Sequence, residues 1–450
     1  MHILHYTLGL PPNRSGGLTK YATDLMKVQS DSGDVVSLLY PGEYTFLGLP
    51  KIRIEKEPTY KGIAVYHLKD TSIVPLLYGI RNPADITDIK RQLSLQALEL
   101  FYKEVQPEVF HIHTLMGIPP ELIDYLKAKK VKIVFTSHDY YGLCPKVNFI
   151  NYKGEFCNTP GGEQCAMCNR HSPGAAFLRL RNSKYLLKYK AKLSSFNKME
   201  GIKNAKPLNE VVPSKAKELE YTALLSYYKQ LFELVDCFHF NSSVSKEVYE
   251  QFITPKQSVV LPISHAGIVD RRASKMFDRA LVRLAFIGST AKYKGFPMLK
   301  EALCELNVNE EINWSLQVWG SSIGSDPECD RIEYKGKFTS ADLAKVFGEI
   351  DLLIVPSICK ETFSLVALEA LSFGVPVMVS DNVGAKDIVA KYNTDFIFEP
   401  TKEAMQLKLR DILDNPSLLT GFNEKLRNNK FEYSLTDHQK KIKQLYNFIG

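Results

Sequence analysis

The sequence predicts an α/β protein made of two doubly wound, Rossmann-like domains. Three observations predict it. Strand-like apolar runs alternate with helical spacing through most of the 450 residues, the pattern of parallel sheets covered by helices on both faces. The series stops at a polar stretch, 270–279, and starts again at Leu281. With 45% hydrophobic and 24% charged residues, a chain of this length holds apolar material for more than one core. That balance excludes disordered, collagen-like and coiled-coil chains.

In the first series, strands are expected at 3–6, 35–40, 63–68, 109–113, 131–136 and 238–240, with helical spacing beginning at Gly17, Ile89 and Pro119. The second series places strands from Leu281 and at 316–319, 351–355 and 375–380. The last segment, 436–449, is helical, with Ile442, Leu445 and Ile449 on one face. The expected domains are therefore 1–265 and 266–430, followed by a terminal helical segment, 431–450. The first domain is interrupted over 144–235 by a cysteine-bearing and basic helical insertion, far longer than an ordinary connection.

The start of the chain has no basic segment ahead of its short apolar run, so it reads as a core strand and not as a secretion signal, and a cytoplasmic protein is expected. Residues 363–380 are apolar but interrupted by Glu369, Gly374 and Pro376, which reads as helix followed by strand and not as a membrane span. The formal charge of +7 is too small to indicate nucleic acid. The excess is concentrated over 179–206, which holds nine Lys or Arg and one acid, Glu200, interleaved with Leu180, Tyr185, Tyr189 and Phe196. Such a helix either lies on an anionic membrane surface or packs on its own domain with its lysines solvated. The contact expected of it spans 177–206, at the inner face of the membrane.

The chemistry concentrates in 356–384. A strand ends at Pro356, a loop carries Glu361, and a helix is expected from about Phe363 with Glu369 inside it, eight positions after Glu361. The amides of Phe363, Ser364, Leu365 and Val366 would lie in a first turn without intrahelical acceptors, which makes an anion site. A diphosphate there brings a ribose within reach of Glu369. Gly288 at a strand end and Lys294 with Gly295 before a helix supply a point charge for a leaving phosphate. Gly16 and Gly17 follow the first strand and permit close backbone approach. The absence of G-x-G-x-x-G disfavours a dinucleotide cofactor. His113 and His138, beside Asp139, close adjacent strands at the rim where open α/β sheets bind ligands. His113 reads equally as a site residue or a core histidine, and His111 as structural.

These residues, with D-x-x-x-x-P-S before the loop and A-L-x-x-G-x-P-V after it, resemble the retaining GT-B glycosyltransferases, family 4 in particular. The resemblance implies two Rossmann-like domains facing across a cleft, the last helix crossing back onto the first. It implies transfer of a sugar from a nucleoside diphosphate to a hydroxyl with retention and without a catalytic divalent metal. His138, Lys294 and Glu361 then carry catalysis. Gly16, Gly17, Gly288, Lys294, Phe363, Ser364, Leu365, Val366 and Glu369 hold the donor. An arginine common in that family near Ser289 or Thr290 is missing, with Lys292 as its substitute. The expected acceptor is a glycan or a lipid-linked polysaccharide intermediate of capsule, O-antigen or exopolysaccharide type. A catalytically silent glycan-binding or assembly subunit, and an epimerase, share the fold.

Four of the eight cysteines, Cys144, Cys157, Cys165 and Cys168, stand with twelve, seven and two residues between them. C-x-x-C and two further thiols suit a structural zinc. Four reduced thiols, and more distantly an iron–sulfur cluster, remain open.

Overall fold

A computed structural model describes residues 1–44, 51–87, 92–183, 213–277, 281–306 and 313–449. The chain divides into two compact units. Unit 1 comprises Met1–Phe240, Tyr249–Val259 and Gln439–Gly450, and unit 2 comprises Asn241–Val248 and Val260–His438.

Unit 1 is built on a sheet ordered β3-β4-β2-β1-β5-β6-β7-β8. Its strands are β1 His2–Tyr6, β2 Val35–Pro41, β3 Arg53–Tyr60, β4 Ile63–Lys69, β5 Val109–Ile112, β6 Lys132–Thr136, β7 Cys237–Phe240 and β8 Ser258–Val260. The strands from β4 to β7 pair in parallel, and only β3 joins β4 antiparallel. β1, β5, β6 and β7 are almost wholly buried, which is why they read as continuous apolar runs. β3 escapes the sequence reading because it is a polar, largely exposed edge, R-I-E-K-E-P-T-Y, whose charges and proline protect an open edge from pairing with other chains.

Unit 2 has the sheet order β11-β12-β10-β9-β13-β14-β15. Here β9 is Leu281–Ile287, β10 Asn313–Trp319, β11 Ile323–Ser325, β12 Ile332–Gly336, β13 Leu352–Val355, β14 Val377–Ser380 and β15 Ile397–Phe398. All pairings are parallel except β11 with β12. A bidentate pair fixes β9 beside β13: Arg283 Nη2 and Nε donate to the two oxygens of buried Asp351 at 2.7 and 3.0 Å. Residues 363–380 form the helix Leu365–Ser372 followed by β14.

The unit boundary departs from a break at 265. Residues 260–265 belong to unit 2 because Ser264 Oγ donates to the Tyr433 carbonyl at 2.6 Å and His265 reaches Glu369. The final helix, Leu435–Phe448, contributes its later residues to unit 1, where buried Tyr446 and the Lys443–Asp34 ion pair at 2.8 Å hold it. The helical spacing from Ile89 starts outside the described residues, and the helix that follows is Leu95–Val105.

Candidate functional site

The sheet of unit 2 winds outward in both directions from β9 and β13. At such a switch point the loops after the two central strands leave to opposite sides and open a crevice at the carboxyl ends. Both candidate charges stand on these loops.

After β9, Gly288 adopts φ 148° and its N–H donates to the Trp319 carbonyl at 2.9 Å. A one-turn helix, Lys292–Lys294, follows. The Tyr293 carbonyl in it accepts the N–H groups of Ile358 and Cys359 at 3.0 and 3.2 Å, stitching the β9 loop to the β13 loop. Gly295 has φ +76°, and a Cβ there would stand 1.8 Å from the Pro356 carbonyl oxygen. Only glycine permits this approach.

The approach brings Lys294 Nζ to 3.0 Å from Glu361 Oε1. Burial alone would depress the ammonium, but Glu361 and then Cys359 hold its pKa above the usual lysine value. Glu361 Oε2 accepts from Ser357 Oγ at 2.6 Å. Its backbone is strapped to the segment after β14, with Glu361 N–H donating to Asn382 O at 2.8 Å and Gly384 N–H donating to Glu361 O at 2.9 Å. Thr362 O accepts from Ser242 Oγ at 2.6 Å, and Phe363 O from the Ala385 N–H at 2.7 Å. The carboxylate and the ammonium are therefore held on one rigid frame.

The helix of the anion site starts at Leu365, not at Phe363. Phe363 is a buried core side chain ahead of it, so the helix's own first turn offers the amides of Leu365 and Val366, which have no intrahelical acceptor. Ser364 is the cap residue, at φ +91°, and its side chain makes no cap hydrogen bond. Its Oγ is buried and unpartnered among the described residues. Within the helix, Glu369 Oε1 lies 2.9 Å from His265 Nε2. Since His265 Nδ1 accepts the Gly267 N–H at 3.0 Å, Nε2 carries the proton and donates to the carboxylate. The sequence reading passed over His265 because it lies at a domain boundary, more than a hundred residues from its partner.

In unit 1, Gly16 adopts φ +112° and ψ 174°, a conformation confined to glycine, and with Gly17 it opens the helix Gly17–Asp31. His138 ends a buried chain of imidazoles. Gln29 Nε2 donates to Tyr446 Oη at 3.2 Å, so Gln29 Oε1 accepts from His5 Nε2 at 2.8 Å. His5 Nδ1 then accepts from His113 Nε2 at 3.0 Å, and His113 Nδ1 from His138 Nε2 at 3.2 Å. This order protonates His138 on Nε2. His113 is thus a buried link, not a rim residue. His111 lies beside this chain, bonded to Tyr446 Oη and Thr136 Oγ1, each at 2.6 Å. Nitrogen atoms of His5, His111 and His113 come within 4.8 Å of one another, but these bonds already use their donor and acceptor positions. Burial pulls His5 down to about 4, His138 to about 3 and His113 well below the usual histidine value. Burial also pushes the Asp139 carboxyl up to about 6.

A cavity of about 240 Å³ opens at the ends of β1, β2 and β4, lined among others by Arg14, Tyr40, Glu43, Glu57, Tyr60 and His67. Tyr40 stacks on His67 with ring centroids 4.5 Å apart. The four cysteines lie in or beside the helix Gly162–Asn169 and the turns before it. Of the basic stretch, 184–206 is outside the described residues. The helix Ala175–Arg181 ahead of it exposes Phe177 and Leu180 beside Arg179 and Arg181. No helix among the described residues is long and apolar enough to cross a membrane.

Two parallel-wound units, one bearing a cation and an uncapped helix end at its switch point, have the architecture of the GT-B fold. Residues 272–432 match the family described as glycosyl transferases group 1. A Klebsiella pneumoniae protein, an uncharacterized 41.2 kDa protein in the cps region, is 25% identical over 131 residues. That match covers 28% of this chain and 36% of that protein, so the chain aligns with about a third of the relative's length. Among solved structures, WaaG, a glycosyltransferase involved in lipopolysaccharide biosynthesis, matches with TM-score 0.54 at 14% identity over 99% of both chains. Anabaena HepE, in complex with UDP and glucose, matches with TM-score 0.54 at 11% identity over the whole of both chains. An alpha,alpha-trehalose-phosphate synthase from Burkholderia xenovorans matches with TM-score 0.54 at 12% identity over 99% of both. At these identities the likeness is one of fold.

Two outcomes follow from this geometry. Gly295→Ala forces a side chain onto the Pro356 carbonyl at a positive φ, so denaturant unfolding should show a loss of more than about 2 kcal/mol; wild-type stability would contradict the close approach. The imidazoles of His5, His113 and His138 are neutral in the fold but charge in the unfolded chain below its histidine pKa near 6.5. Acidification from pH 7 to 5 should therefore destabilise the protein, by about 1.4 kcal/mol per pH unit for each imidazole that protonates only on unfolding. Thermal melts across this range should show a shallower slope for His113→Asn than for wild type, and equal slopes would contradict the neutral chain.

Proposed function

We propose that the protein transfers a sugar from a nucleoside diphosphate sugar to a hydroxyl, with retention at the anomeric carbon. The observation that carries this reading is the Ser364 hydroxyl, buried and without a partner among the described residues, at the uncapped end of the helix Leu365–Ser372, on the same frame as Lys294. A diphosphate satisfies all of these groups: the amides of Leu365 and Val366 and the Ser364 hydroxyl donate to its oxygens, and Lys294 answers its charge. Glu369, aligned by His265, accepts from the ribose hydroxyls. Glu361, which neutralises Lys294 without donor, turns one oxygen to the sugar hydroxyls as Lys294 moves to phosphate.

The bond from the anomeric carbon to the phosphate oxygen breaks as the acceptor oxygen bonds to the same face, and the acceptor proton passes to the departing phosphate. Stabilisation of the leaving group falls to Lys294 and the helix end, with no step routed through a metal ion. His138 is assigned to hydrogen bonding with the donor sugar's hydroxyls, as the family resemblance implies.

The cavity of unit 1, with an aromatic pair and two carboxylates, suits a polyhydroxylated acceptor. The Klebsiella relative's cps region supports a polysaccharide intermediate. The exposed Phe177 and Leu180 beside two arginines suit a lipid-linked form of it at an anionic surface.

A kinetic panel tests the assignment. Lys294→Ala should lower turnover about 100- to 1,000-fold. Glu369→Ala should weaken donor binding about 10- to 100-fold with little change in kcat. Tyr40→Ala should spare donor hydrolysis and reduce transfer onto a saccharide-lipid extract. Wild-type constants in the first two variants, or no donor consumed by the wild type, would overturn the reading, the latter in favour of a silent glycan-binding subunit. Sedimentation with phosphatidylglycerol vesicles at low salt should pellet the wild type and lose Phe177→Ser; a protein left in the supernatant would remove the surface-bound acceptor.

A further inference from the structure

The insertion after β6 holds four cysteines that the donor chemistry does not use. Cys144 closes a turn in which its N–H donates to the Tyr140 carbonyl at 2.9 Å, and Val147 N–H returns to the Cys144 carbonyl at 2.9 Å. A short antiparallel bridge, Ile150 with Phe156, brings the chain back to Cys157, whose N–H donates to Phe149 O at 2.7 Å. Cys165 and Cys168 stand three positions apart on the helix Gly162–Asn169. The fold thus gathers residues from three local elements, and every one of the four thiols lies within electrostatic reach of the other three.

Burial raises each of the four thiols above the usual cysteine value, and nearby backbone N–H groups oppose it. Backbone N–H groups of Lys146 and Phe149 meet Cys144, Thr159 meets Cys157, Gly161 meets Cys165 and Tyr152 meets Cys168. The Lys146 ammonium is also within reach of Cys144 and Cys168. None of the four is in a disulfide.

We propose that Cys144, Cys157, Cys165 and Cys168 form a closed, tetrahedral S4 site for a structural zinc ion. Loading the site releases one proton from each thiol and leaves two net negative charges, which Lys146 and the N–H donors face. Zinc–sulfur bonds of about 2.3 Å place tetrahedral sulfurs about 3.8 Å apart. Among the described residues, only the His5, His111 and His113 atoms already converge within 4.8 Å, so the thiols draw inward on the ion. Four sulfur ligands leave no open position, and the role is to fasten the insertion. Cys144 lies six residues beyond His138, and the next segment packs on the helix Lys215–Glu233: a Cβ at Gly162 would come 2.9 Å from the Glu218 carbonyl oxygen. The metal therefore fixes the loop between the end of β6 and that helix, independently of the donor assignment.

The test uses the full-length protein purified without chelator. Elemental analysis should find about one zinc per chain, and cobalt exchange should give the intense visible bands and charge-transfer absorption of a tetrahedral tetrathiolate. Cys168→Ser should lower zinc content at least about tenfold. Should that variant prove insoluble, mass mapping of native alkylation on the wild type supplies the answer: the four cysteines protected and exposed Cys304 labelled, with protection lost on adding a strong chelator. Less than about 0.2 zinc per chain with all four thiols alkylated as fast as Cys304 would overturn the proposal. So would stoichiometric iron with visible absorption, or two disulfides in a non-reducing map.

Discussion

A close approach of two loops, where the turn ending in Gly295 meets the Pro356 carbonyl, sets the geometry of the candidate site. It rests on the burial of β9 and β13, whose Leu284, Ala285, Leu352, Leu353 and Ile354 are almost inaccessible to solvent, and on the Arg283–Asp351 pair at the other end of the strands. Once the strands are adjacent, the loops leaving their carboxyl ends share one crevice. The Tyr293 carbonyl then joins them, and Lys294 meets Glu361 without choice of rotamer partner. A charged pair of this kind, partly removed from water, is costly unless its remaining positions are satisfied. Ser357 provides that for Glu361.

The helix that follows shows the opposite economy. Ser364 sits at positive φ, a conformation that costs a serine ~1–3 kcal/mol, and it leaves a hydroxyl buried without a partner among the described residues, which costs a further ~1–3 kcal/mol. Neither feature stabilises the fold. Both are explained if an anion completes them, because oxygen acceptors there would satisfy the hydroxyl and the first-turn amides together. His265 works in the same sense at the other end of the site: by donating to one oxygen of Glu369 it fixes the carboxylate plane.

Much of this was legible in the sequence because local chemistry carries it. Lys294 beside Gly295 before a helix, and Glu361 and Glu369 eight positions apart across a loop and the helix after it, are short-range patterns, and the buried parallel strands announce themselves as apolar runs. What escaped depends on long-range partners. His265 has meaning only against Glu369. The chain from Gln29 through His5 and His113 to His138 joins elements far apart in sequence, so His113 could not be told from a rim residue. The helix starts at Leu365 and not at Phe363, whose ring is buried in the core ahead of a Ser364 at positive φ. The edge strand β3 was missed for want of an apolar face, since an exposed edge selects charge instead.

The central claim is that a pyrophosphate occupies the space between Lys294 and the amides of Leu365 and Val366. A crystal structure of the protein soaked with uridine or guanosine diphosphate tests it most directly. The account predicts phosphate oxygens within hydrogen-bonding distance of those amides and of Ser364 Oγ, with Lys294 Nζ turned from Glu361 onto phosphate. Nucleotide bound elsewhere, with the Lys294–Glu361 pair intact and the helix end without ligand, would contradict it.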